Sequence, residues 1–153
     1  MLHIYIDADA CPVKDEVYRV ATRYKLSVTL VANCFMRTPP EPWLKLVVVK
    51  DNKLDAADDW IAENITEKDI VITADIPLAS RCLKKDALAL GITGREFTTD
   101  NIGGALASRE LLADMRESGM SMGGPPPFQK KDRSRFLQKL DEMIQRIRNS
   151  TRG

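Results

Sequence analysis

Apolar positions along this chain follow two alternating rhythms. Continuous apolar runs at residues 2–6, 28–32, 46–49, 70–74 and 88–90 are short and mostly β-branched or aromatic, which predicts buried strands. Between them the apolar residues recur at spacings of three and four. Val13, Val17, Val20 and Ala21 predict an amphipathic helix over 12–24, with Pro12 in its first turn. Further helices are predicted over 54–64, from Pro77 onward, over 101–118 and over 133–148. The Pro77 helix turns Leu78, Ala79, Cys82 and Leu83 inward and Arg81, Lys84 and Lys85 outward. Thr38-Pro39-Pro40-Glu41-Pro42 and residues 91–100 are predicted loops.

Strands alternating with helices, and strands apolar on both faces, predict an α/β fold with a mostly parallel sheet covered by helices. The organisation expected is an α/β domain over 1–118, then a Gly/Pro-rich linker and a basic amphipathic helix over 119–153. Phe136, Leu137, Leu140, Met143, Ile144 and Ile147 form one stripe on that helix. The stripe must pack either on the body of the chain or on a second subunit, so a homodimer is one possibility. Loops 33–45 and 119–128 either close over a site or only connect elements.

Composition narrows the function. No apolar run approaches the ~20 residues of a membrane span. A strand-like segment starts at residue 2 with no basic stretch before it, which predicts no signal peptide and a cytoplasmic location. Cys11, Cys34 and Cys82 are odd in number and form no CxxC pair, against a disulfide framework or a zinc site. The single histidine, His3, lies at the wrong end of its strand for a Ser-His-Asp or Cys-His mechanism. Cys11 reads as a small buried hydrophobe. Net charge is +1, but residues 129–153 hold eight basic and three acidic side chains, against 15 and 19 before them. An acidic body with a basic tail suits a metal site beside a phosphate contact, and equally a solvated terminal helix.

The chemistry concentrates in aspartates. Asp7 and Asp9 close the first strand, Asp75 closes the fourth, and Asp55, Asp58 and Asp59 share a helix face. Carboxyl ends of parallel strands are where open α/β sheets place ligands. Clustered carboxylates suit a hard divalent cation, Mg²⁺ or Mn²⁺. Like charges at helical spacing also destabilise their helix unless something neutralises them. Asp7, Asp58 and Asp75 are therefore the expected metal-holding and catalytic residues, with Asp9, Asp55, Asp59 and Thr73 in support. Simpler readings stand beside these: Asp9 and Asp55 as helix N-caps, Asp59 facing solvent, Thr73 as a strand former.

Three segments resemble a known family. Residues 5–14 (YIDADACPVK), 55–61 (DAADDWI) and 71–79 (VITADIPLA) are similar to motifs of the uncharacterised bacterial YaiI/YqxD family, as are Asn101-Ile102 and Gly123-Gly124-Pro125. Those motifs in turn resemble PIN-like nuclease domains, through Asp7, Asp58-Asp59-Trp60-Ile61 and Thr73-Ala74-Asp75. That likeness implies a three-layer PIN-like fold and metal-dependent phosphodiester cleavage, with RNA or single-stranded nucleic acid as the expected partner. PIN-like domains usually carry a further acid on an intervening helix and another beyond Thr-x-Asp, where this chain has Ile76-Pro77.

Arg81, Lys84, Lys85 and the basic terminal helix are the expected phosphate contacts. Aromatics interleaved for base stacking are not evident, and Phe128 and Phe136 read as packing residues. Two rivals remain. One is a haloacid-dehalogenase-like phosphatase with Asp7 as nucleophile and Asp9 as acid, although Cys11 stands where that pattern has Thr or Val. The other is a PIN-like module that binds nucleic acid or protein without cleaving.

Overall fold

The structure, a computed structural model, describes residues 2–8, 11–49, 56–100, 102 and 129–152. Its strands are β1 (His3–Asp7), β2 (Ser27–Ala32), β3 (Leu44–Val48), β4 (Ile70–Ile72), β5 (Leu88–Leu90) and β6 (Glu96–Phe97). Its helices are α1 (Lys14–Tyr24), α2 (Ala56–Asn64), α3 (Ile76–Leu83) and α4 (Lys130–Arg152). The sheet order is β3-β2-β1-β4-β5-β6. β1 pairs in parallel with β2, Ile4 opposite Val28 and Asp7 opposite Val31, and with β4, Ile6 opposite Ile72. Among the described strands, β6 alone runs antiparallel, beside β5.

The period of two along each strand divides the core between two faces. Ile4, Ile6, Val28, Leu30, Ile70, Ile72 and Leu90 pack with Val13, Val17, Val20 and Ala21 of the α1 region and with α4. Val31, Val71 and Ala89 look the other way, onto Ala57 and Ile61 of α2 and Leu78, Ala79 and Cys82 of α3. The result is a three-layer α/β arrangement.

The apolar stripe of α4 is buried within this chain. Phe136, Leu140, Met143 and Ile144 are fully enclosed and Ile147 nearly so, against α1 and the sheet. Polar contacts fix the helix along its length. Arg133 donates to the Pro12 carbonyl at 2.7 Å and pairs with Glu16 at 3.1 Å. Asp141 accepts from the Tyr24 hydroxyl at 2.6 Å, and Arg146 pairs with Glu96 at 2.6 Å. Half the basic tail thus docks the helix: Arg133, Lys139, Arg146 and Arg148 all contact the body. Gly94, at φ +89°, brings the β5–β6 turn against α4, and a Cβ there would sit 2.9 Å from the Arg135 backbone.

Several boundaries differ from expectation. Pro12 lies in the turn before α1, whose N-cap is Val13 without a side-chain bond. β3 starts two residues before the predicted run, β4 stops at Ile72, and α4 extends beyond 133–148 at both ends. β6 falls inside the predicted 91–100 loop, because a two-residue strand carries no periodicity to read. The predicted 101–118 helix and 119–128 loop lie outside the described residues, apart from Ile102, which is helical.

At the opposite end of β1 from Asp7, His3 bonds Thr29 Oγ1 at 2.6 Å and its backbone N–H donates to Asp69 at 3.0 Å. Burial lowers the His3 pKa, with Asp69 opposing and Lys45 assisting the shift. The fold therefore favours neutral His3, and stability should fall as pH drops below the unfolded value of about 6.5. His3→Gln should flatten that part of the stability–pH curve in urea titrations; an unchanged curve would mean His3 carries no linkage. Phe136→Ala should cost about 3–5 kcal/mol in the same measurement, and a loss below about 1 kcal/mol would contradict the docking of α4.

Candidate functional site

The chain adds β2 and β3 on one side of β1, then crosses to β4 on the other. Beyond the carboxyl ends of β1 and β4 this leaves the crevice in which open α/β sheets bind ligands. Asp7 ends β1 and Thr73 follows β4 directly. Both continue the strand parity that faces the α2–α3 layer. Thr73 is 1% exposed, and its hydroxyl donates to Asp7 Oδ2 at 2.9 Å. The same Thr73 oxygen accepts the Asp75 N–H at 2.9 Å. A buried hydroxyl thus joins the ends of the two central strands.

Asp75 is the N-cap of α3: its Oδ1 accepts the Leu78 N–H at 2.9 Å, with Pro77 in the first turn. Capping, the simpler reading for Asp9 and Asp55, is seen here at Asp75. The signal was legible in Asp75-Ile76-Pro77, an N-cap residue with proline in the first helical turn.

Asp58 and Asp59 occupy the first turn of α2, which begins at the same end of the sheet. Asp59 pairs with Arg81 of α3 at 2.7 Å, so it does not simply face solvent. That hydrogen bond is the main cause raising the Arg81 pKa, with a smaller contribution from the Asp58 charge. Burial is the main cause raising the Cys82 pKa, and the Asp58 charge adds to it. The like-charge cost of this helix turn is met in part by an arginine. Among the described residues no three His, Cys, Asp or Glu side chains gather as a metal-holding group. Asp7, Asp58 and Asp75 are therefore not gathered into the expected three-carboxylate set; Asp75 Oδ1 is instead bonded to the α3 backbone. Asp9 and Asp55 lie outside the described residues.

The expected phosphate contacts are also redistributed. α3 starts at the crevice and runs away from it, so its last turn lies roughly 12 Å down the sheet at ~1.5 Å per residue. Lys84 and Lys85 follow that turn. Lys85 donates to the Ala62 and Glu63 carbonyls at 2.7 and 3.3 Å, capping α2. Arg81 is committed to Asp59. Lys14 is the first residue of α1, and Arg37 lies in the loop after β2.

Cys11 is 7% exposed, and burial pushes its thiol up to about 11, with the Asp7 and Glu16 charges adding to the shift. It stays protonated near neutrality and behaves as the small hydrophobe expected. Among the described residues no helix is long and apolar enough to cross a membrane.

The family model described as "Uncharacterized BCR, YaiI/YqxD family" matches residues 5–146. A UPF0178 protein of Rhodospirillum centenum is 56% identical over 152 residues, covering 97% of this chain and 98% of its own. A UPF0178 protein of Parvibaculum lavamentivorans is 56% identical over 148 residues, covering 97% of each chain. No solved structure matches. The chain therefore belongs to the YaiI/YqxD family of uncharacterised bacterial proteins.

Proposed function

We propose that this protein is a Mg²⁺- or Mn²⁺-dependent nuclease that hydrolyses phosphodiesters of RNA or another single-stranded nucleic acid in the cytoplasm. The observation carrying this reading is the Asp7–Thr73–Asp75 arrangement at the crevice between β1 and β4. The likeness of the motifs to PIN-like nuclease domains points the same way.

The donor chemistry suits a hard cation. Asp7 and Asp75 supply carboxylate oxygens, and Mg²⁺ is commonly held by one or two carboxylates, with waters and substrate phosphates filling the other positions. When bound, the cation would lower the pKa of a coordinated water and offset charge on the phosphate. The residues of the chain do the positioning. Thr73 fixes the Asp7 carboxylate through its 2.9 Å bond, the role an outer hydrogen-bond partner plays for a ligand. Asp75 holds the start of α3 through its Oδ1. Asp58, on the first turn of α2, is the group nearest in kind to orient a water, and Asp59 with Arg81 ties α2 to α3.

A second reading, a module that binds nucleic acid without turnover, draws on the lack of a three-carboxylate group among the described residues. Turnover separates the two. With Mn²⁺ and a labelled single-stranded RNA, the wild type should cleave, and Asp7→Asn should lower the rate by at least about a hundredfold. Retained RNA binding with no cleavage in either metal would favour the binding module, and equal cleavage by Asp7→Asn would defeat the mechanism.

Asp75 separates capping from catalysis. Asn is as good an N-cap as Asp, whereas Ala loses about 0.5–2 kcal/mol. Asp75→Asn should keep its stability and lose cleavage; Asp75→Ala should lose both. Full activity in Asp75→Asn would reduce Asp75 to a cap.

A further inference from the structure

Phe35 is 80% exposed, the one large hydrophobic side chain left in solvent among the described residues. It lies four residues beyond Val31, which is paired with Asp7 across the β1–β2 ladder. Val31, like Asp7, lies near the carboxyl end of its strand, and at no more than ~3.6 Å per residue the Phe35 backbone is within about 15 Å of it. The loop carrying it is anchored: Met36 packs against the core beneath α1, and the Lys14 ammonium lies 3.9 Å from its sulfur. Phe35 is therefore held outward by a neighbour that is held inward.

Its surroundings favour a planar, anionic occupant. Asn33, Cys34 and Arg37 beside it are exposed, so no apolar patch of the size used by protein partners surrounds it. Among the described residues no carboxylate pairs with Lys14 or Arg37. An exposed ring with Arg37 two residues on and the Lys14 ammonium against the adjoining Met36 suits a nucleobase stacked on the ring with its phosphates held by the charges.

We propose that Phe35 is a substrate-positioning residue on which a base of a single-stranded nucleic acid stacks, with Lys14 and Arg37 engaging the flanking phosphates. This rests on the nuclease reading for what happens at Asp7, but it concerns binding, and binding can be measured apart from cleavage. Stacking on an aromatic ring tolerates any base, so the site selects single strands over duplexes rather than a sequence.

The test is fluorescence anisotropy in EDTA with labelled ten-nucleotide oligouridylate and oligothymidylate, against full-length wild type, Phe35→Ala and Phe35→Trp. Phe35→Ala should bind both probes about tenfold or more weakly, Phe35→Trp should bind like wild type, and melting temperatures should agree. An oligonucleotide of abasic positions should bind the wild type weakly and be indifferent to Phe35→Ala. In turnover, Phe35→Ala should raise KM and leave kcat unchanged. Weakening of the RNA probe alone would still support the platform and assign it to RNA.

Equal binding by Phe35→Ala, or a melting temperature several degrees lower, would overturn the proposal, the latter by making Phe35 a packing residue. If the wild type cleaves while Phe35→Ala binds normally, the platform fails and the nuclease reading survives. If Phe35→Ala weakens binding but nothing is cleaved, the platform stands and the nuclease reading fails. Absence of any wild-type binding or cleavage would overturn both.

Discussion

β1 is hydrogen-bonded along both edges, to β2 and to β4, and the places of the other elements follow from that. A strand with two parallel neighbours must reach each by a crossover over a face of the sheet. Here α1 covers one face on the way to β2, and α2 covers the other on the way to β4. The change of direction falls at the carboxyl end of β1, and it is there that the chain carries Asp7. An aspartate ending the most central strand would be poorly solvated, and the Thr73 hydroxyl from the neighbouring strand supplies the bond that makes it tolerable.

The remaining charges divide between holding the fold and being available to a ligand. Asp69, 4% exposed, accepts from Thr66 and from the start of β1 and so closes the far end of the sheet. Asp59 and Arg81 join the two helices of one layer; Lys85 caps α2; four basic residues of α4 fasten that helix to the other layer. Among the described residues, Asp7 with its threonine and Asp75 at the head of α3 stand where β1 and β4 end, and Asp58 is in the first turn of α2. Charge count along the chain is thus a poor guide to charge presented at the site.

Much of this was legible in the residues. Continuous apolar runs marked five strands, and the stripe on the terminal helix announced a buried face, though not that its own α1 and sheet would cover it. The placement of Asp7 and Thr73 followed from their positions at strand ends. What a linear reading misses is direction and partnership. Arg81, Lys84 and Lys85 look like one cationic face until α3 is seen to run away from the crevice. Phe35 sits in a Pro-rich loop without periodicity, and only its 80% exposure beside the β1–β2 ladder distinguishes it from a core aromatic. β6 and the Gly94 contact with α4 arise from tertiary approach and leave no local pattern.

The central claim is that ligand chemistry occurs where β1 and β4 end. The direct measurement is paramagnetic broadening of backbone amide signals as Mn²⁺ is added in the presence of an uncleavable oligonucleotide analogue. The signals of Asp7, Ala8, Thr73 and Asp75 should disappear first, and Asp7→Asn should abolish the effect. Broadening confined to other parts of the molecule, or none at concentrations that saturate the analogue, would contradict the account.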